Sequence, residues 1–130
     1  KMCIRDRSSI KEFKRLKVFK IIDKNGKIIK NIWSSISKKH KIPIKMMGTN
    51  AIPSFEFIHN HLQNKTYLTQ EMLKEKILAT NLVYINIFHN QKNLKKYAKV
   101  LDRIFYNISF KNIKKQLNSK ICFKPINRIN

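Results

Sequence analysis

An α+β fold, a small antiparallel sheet of about three strands covered by helices, is what this 130-residue sequence predicts. Three observations carry the prediction. Leu94, Tyr97, Ala98, Leu101, Ile104, Phe105 and Ile108 recur at helical spacing and make one apolar stripe. Two short stretches alternate instead, Ile42, Ile44 and Met46 in the first, Phe55, Phe57 and His59 in the second, as half-buried strands do. A third short run, Val83 to Phe88, is rich in β-branched and aromatic residues.

The elements follow in chain order. Met2 to Arg7 (MCIRDR) resembles translated sequencing-adapter sequence and carries no apolar h-region, so residues 1–7 are set aside as a non-native leader. Ser9 with Glu12 has the capping-box spacing, and Ile10, Phe13, Leu16 and Phe19 continue as a helical stripe. Asn25-Gly26 is a hairpin signal. Against it, Ile28, Ile29, Ile32, Trp33 and Ile36 share a helical face, which favours a helix over about 24–39 with a break at Gly26. Pro43 bars its continuation. Gly48 to Pro53 is a turn-rich link between strands at 43–47 and 54–59, and the polar stretch Asn60 to Thr66 reads as a loop. A short helix at about 70–76 precedes the third strand at 83–88. Asn90 is placed to cap the last helix. The domain so defined covers 8–110, with a tail at 111–130.

Charge is the largest departure from average composition. The net charge of +22 points first to a polyanion partner, and a small basic nucleic-acid-binding protein is the alternative reading of the chain. Yet Lys, Ile and Asn fill 59 of 130 positions, all three have A/T-rich codons, and the lysines are spread through every segment. Arginine, the bidentate reader of phosphate and guanine, occurs five times against 24 lysines. Genome composition therefore accounts for the charge, and weak, salt-sensitive, sequence-blind polyanion binding is expected. With no apolar run of membrane-span length and two cysteines too far apart for a metal or disulfide motif, Cys3 and Cys122, a cytoplasmic protein is the expectation.

Candidate chemistry is sparse. His59 and His61 lie on one side of an extended segment, but two imidazoles without a third ligand make no metal site. Asp23 and Asp102 have no catalytic motif around them, and Gly26 and Gly48 are too far apart for a phosphate turn. Phe55, Phe57, Tyr84, Tyr97 and Phe105 sit at core periodicities rather than on a base-stacking surface. No catalytic, cofactor-binding or metal-binding residue is assigned.

Residues 69–105 carry a more specific signal: TQEMLKEKILATN, then LVYINIFHNQ, then KNLKKYAKVLDRIF. They resemble the C-terminal segment of class III pyridoxal-phosphate (PLP) aminotransferases, the branch around glutamate-1-semialdehyde aminomutase, which reads "QEMLxxGxLAS", a strand, "xHT" and "xxDIxxYLxxxDxxF". Gln70, Glu71, Met72, Leu73, Leu78, Ala79, His89, Leu94, Tyr97, Asp102 and Phe105 match. Lys76 replaces the glycine and Asn90 the threonine after the histidine. Trp33 and Lys39-His40-Lys41-Ile42-Pro43 resemble a "W" and "KHGLP" exit, and Cys122, Arg128 and Asn130 keep the spacing of a "VCHSGFKRLN" tail, with Phe123 and Pro125 at its His and Gly. The resemblance implies the C-terminal small domain of a PLP-dependent aminotransferase or aminomutase. The Schiff-base lysine, ring-nitrogen aspartate and phosphate contacts of such enzymes lie in a large domain upstream. The chain alone is then catalytically silent and binds no PLP, its own large domain is its partner, and the parent is a homodimer. The tail further implies activated sugars or surface-polysaccharide intermediates as substrates. His89 matches the family's turn histidine, and its expected role is local: hydrogen-bonding the backbone of the turn beside Tyr84.

Overall fold

The computed structural model describes residues 2–122 and is α+β as expected. Its helices are α1 (Met2–Arg15), α2 (Val18–His40), α3 (His61–Lys74) and α4 (Gln91–Phe110), and its strands β1 (Ile44–Met47) and β2 (Ser54–Phe57). A short 3₁₀ turn follows at Ile113–Gln116, while the tail match from Phe123 to Asn130 lies outside the described residues.

The helix reading of 24–39 holds and the break at Gly26 does not occur, because α2 runs unbroken through it. Asn25 is buried and donates from Nδ2 to the His89 carbonyl at 3.1 Å. Gly26 meets the loop after β1 so closely that a Cβ there would lie 1.9 Å from the Asn50 carbonyl oxygen. The Asn-Gly pair serves close packing here rather than a hairpin. α2 ends where Lys41, at φ 54°, bonds back to Lys38 and Ile42 to Ser37, a left-handed helix end that satisfies the last carbonyls.

β1 and β2 pair antiparallel with Ile44 opposite Phe57 and Met46 opposite Phe55. The expected third strand is realised only in part. The chain at 81–85 runs antiparallel beside β2 and the residues before it: Phe55 N–H donates to Asn81 O, Val83 N–H to Pro53 O and Ile85 N–H to Ala51 O. One bridge, Ser54 to Leu82, is all that registers as strand. The cause is Pro53, which is buried and has no N–H to return to Val83. Asn81 also fills one rung with its side chain, Nδ2 donating to Phe55 O at 2.8 Å. The strand therefore does not extend to Phe88, and Tyr84 is 69% exposed rather than core.

Three further boundaries differ. The stretch read as a loop at Asn60 to Thr66 is mostly α3, whose buried face is Asn64, Tyr67, Leu68 and Met72. β2 ends at Phe57, leaving His59 exposed. Ser9 is no cap: it lies within α1, which begins at Met2 inside the segment set aside as a leader. The stripe Ile10, Phe13, Leu16 and Phe19 lies exposed instead of buried.

The core forms where α2, β2 and α4 meet. Trp33 stands edge-on to Phe55 at 4.8 Å, Phe55 to Phe57 at 5.3 Å, and Phe57 lies 5.5 Å from Phe105, distances at which aromatic pairs attract. Trp33 Nε1 donates to the Tyr97 hydroxyl at 2.9 Å, so the polar atoms of two buried aromatics satisfy each other. Asn90 caps α4 as expected, its side chain accepting from Asn93 N–H at 2.9 Å. Leu94, Tyr97, Leu101, Ile104 and Phe105 of the predicted stripe are buried.

Lys41 and Lys76 hold left-handed backbone at φ 54° and 59°, a region that costs a residue with a Cβ about 1–2 kcal/mol. Lys76→Gly and Lys41→Gly are each expected to stabilise the chain by about 0.5–1 kcal/mol, the relieved strain less the extra freedom glycine gives the unfolded chain. Equilibrium urea unfolding of each variant checks this.

Candidate functional site

Between the end of α3, the segment after it and the first turns of α4 lies a groove of about 730 Å³. Its wall combines apolar and polar groups: Leu78, Leu82 and Tyr84 on the loop, His89 at the turn, Tyr97 on α4, and the ammonium-bearing Lys76 and Lys96. Leu78 is 92% exposed and Phe88, just beyond the groove lining, 75%. Apolar side chains this open beside a groove make it the candidate contact face of the chain.

His89 is held by backbone, as its expected local role requires. Asn86 N–H donates to Nδ1 at 3.2 Å, so the neutral ring carries its proton on Nε2. Partial burial pushes its pKa below the ordinary imidazole value, which keeps it neutral at pH 7. A neutral ring with one N–H is a hydrogen-bond donor to whatever fills the groove. Tyr97 supplies no acid or base there: burial raises its phenol to about 12 although the Trp33 hydrogen bond opposes the shift.

The other candidates are spoken for within the fold. His61 opens α3, its Nδ1 accepting from Phe57 N–H at 3.2 Å. Among the described residues no group of three His, Cys, Asp or Glu is placed to hold a metal ion. Cys3 and Cys122 are free thiols, the first exposed and the second with Sγ 3.5 Å from the Leu62 carbonyl oxygen. Asp23 pairs with Lys27 at 2.7 Å. Asp102 of α4 joins the end of α2, with Lys39 Nζ at 2.8 Å and His40 Nε2 at 2.7 Å.

The Lys39 hydrogen bond, against the opposing effect of partial burial and with the His40 hydrogen bond and the Lys39 charge adding to it, holds the Asp102 carboxyl below the ordinary aspartate range. A carboxylate with a lowered folded pKa stabilises above its unfolded pKa, and that contribution is lost as pH falls through the folded value. Asp102→Asn is therefore expected to lower stability at pH 7 by at most about 1 kcal/mol, since Lys39 is well exposed and Asp102 partly so, and to flatten the loss of stability below about pH 4. Urea midpoints measured from pH 2 to 7 on both proteins test this.

Several residues that carry the family resemblance bond to one another, and others to neighbouring chain. Trp33 bonds to Tyr97, Lys39 and His40 to Asp102, and Asn25 of α2 to the backbone of His89. Gln70 of α3 fixes the following chain, donating to Gln116 O and accepting from Asn118 N–H. Of the three lysines with left-handed backbone, Lys17, Lys41 and Lys76, the last two stand where the family pattern has glycine.

No family model matches the sequence, and no curated protein matches it. Among solved structures the chain is similar to the PLP internal aldimine form of the FumI protein of Sphingopyxis sp. MTA144, with a TM-score of 0.62 and 12% identity. The match covers 76% of this chain and 26% of that one, so the chain spans about a quarter of that protein's length. At this identity the likeness shows a shared fold. Among the described residues, no helix is long and apolar enough to cross a membrane.

Proposed function

We propose that residues 8–110 form the small C-terminal domain, and 111–130 the tail, of a PLP-dependent enzyme of the class III aminotransferase family, whose reaction is amino-group transfer or the intramolecular amino shift of an aminomutase. One observation carries the reading. Both positions where the family pattern has glycine and this sequence has lysine, Lys41 and Lys76, adopt the left-handed backbone that glycine serves best. Among the described residues three lysines hold this conformation, Lys17 at φ 49° being the third, and two of the three fall at glycine positions of the pattern, although positive φ is uncommon outside glycine, asparagine and aspartate. The likeness of fold to a quarter of a PLP-bound protein supports the same reading. The tail spacing of Cys122, Arg128 and Asn130 favours activated sugars or related polysaccharide intermediates as substrates.

On this reading the missing large domain supplies the Schiff-base lysine and phosphate contacts, and PLP there serves as the electron sink for amino-group chemistry. This chain would contribute the face around the groove, with Tyr84 and His89 turned to the cleft between domains, and would keep water from it on closure. The parent would be a cytoplasmic homodimer.

Two measurements test the proposal. Genomic sequence upstream of Ser8 is expected to continue in frame into a PLP-lysine motif; an unrelated upstream domain overturns the reading. The chain itself, titrated with PLP, dialysed, trapped with borohydride and peptide-mapped, is expected to show labelling spread over many of its 24 lysines and lost on dialysis. A single stoichiometric, dialysis-resistant lysine would mean that the chain holds a complete cofactor site and is no mere companion domain.

A further inference from the structure

We infer that the outer edge of the Leu82–Ile85 segment accepts an extended, acidic polypeptide as an additional antiparallel or parallel strand, seated in the groove described above. The register fixes which backbone groups are free. Asn81, Val83 and Ile85 turn their bonding groups inward, to Phe55, Pro53 and Ala51. In an antiparallel pairing successive residues alternate direction, so the N–H and C=O of Leu82 and Tyr84 face outward. Neither residue makes a backbone hydrogen bond among the described residues. An open row of donors and acceptors of this kind is a template for strand addition.

The surroundings say what chemistry would pair with it. Leu78, Leu82 and Tyr84 give alternate side chains of an incoming strand an apolar floor. Lys76 and Lys96 line the same groove; among the described residues neither ammonium meets a carboxylate, and Lys96 Nζ donates to the Glu75 carbonyl at 3.0 Å, which leaves its charge uncompensated. Acidic side chains on the incoming strand are therefore favoured. A second copy of the chain is a poor occupant, because each copy brings a net charge of +22 to the contact. On the inner side Pro53 has no N–H to give Val83, so the segment is extended yet under-paired there as well.

Backbone hydrogen exchange followed by NMR tests the inference on the full 130-residue chain. The probe is a blocked heptapeptide alternating valine and glutamate. It is expected to slow exchange at Leu82 and Tyr84 by about tenfold or more at saturation, as one or two added backbone hydrogen bonds would. The same peptide N-methylated at alternate residues, which removes its donors without touching the protein, is expected to lose the effect, as is a valine–lysine peptide. Tyr84→Pro, which deletes one outward donor, is expected to weaken binding of the valine–glutamate peptide. Three results overturn the inference: unchanged exchange at Leu82 and Tyr84 under saturating peptide, equal binding of the N-methylated peptide, or protection that rises with protein concentration without peptide. The last would assign the edge to self-association. None of these outcomes depends on the PLP reading, which the upstream sequence decides separately.

Discussion

Gly26→Ala is expected to destabilise the chain by about 3 kcal/mol, although alanine is the better helix former. At an exposed position inside a helix the same change would gain about 1 kcal/mol. In α2 the added methyl would sit 1.9 Å from the Asn50 carbonyl oxygen and 2.6 Å from its carbon. The contact is backbone, and no side chain can rotate away to relieve it. Either α2 or the loop at 48–53 must move, and both are held by neighbouring bonds: Asn25 to the His89 carbonyl, and Asn50 to Asp23 at 2.7 Å. Overpacking of this kind costs about 1–3 kcal/mol, occasionally more; a backbone contact this short belongs to the upper end, about 4 kcal/mol, from which the propensity gain of about 1 kcal/mol is subtracted. Urea unfolding should show a lower midpoint at unchanged slope, the sign of altered stability rather than an altered unfolded state. A midpoint at or above that of the parent chain would mean that the helix and the loop do not meet at this glycine.

Leu101→Ala is expected to cost about 2–5 kcal/mol. Leu101 is 0% exposed, on the face of α4 that carries Tyr97, Ile104 and Phe105 into the core. Truncation removes apolar burial and leaves a cavity in a close-packed core, which costs more than the lost transfer energy alone. Phe88→Ala, at a position 75% exposed, serves as the contrast and should change stability by no more than about 0.5 kcal/mol. Equal losses for the two variants would place Leu101 outside the core.

What could be read from the residues follows how local each signal is. α4 was legible because stripe, cap and length agree within one segment, and all three concern residues close in sequence. β1 and β2 were legible for a similar reason, since alternation shows in four or five residues. The third strand was misjudged because its fate depends on Pro53, some thirty positions upstream, and no property of the run Val83 to Phe88 reports that. α3 is a different failure. Asn64, Tyr67, Leu68 and Met72 are spaced as a helix face, but the polar His-Leu-Gln-Asn-Lys start hid it. At the candidate site, His89 and its turn were visible through the family resemblance. The groove was not, because it is assembled from α3, the loop after it and α4 together.

The chain has one tryptophan, and it sits where the three main elements join: wholly buried, edge-on to Phe55 and hydrogen-bonded to Tyr97. That arrangement makes the protein report on itself. Indole emission depends on the polarity around the ring, so a shift to longer wavelength would announce the parting of α2 from β2 and α4, with no label attached. Melting of the exposed α1 would pass unseen in the same trace. Comparing fluorescence with far-ultraviolet dichroism, which counts every helix, would therefore separate fraying of the first helix from loss of the core, and would tell whether the two happen together.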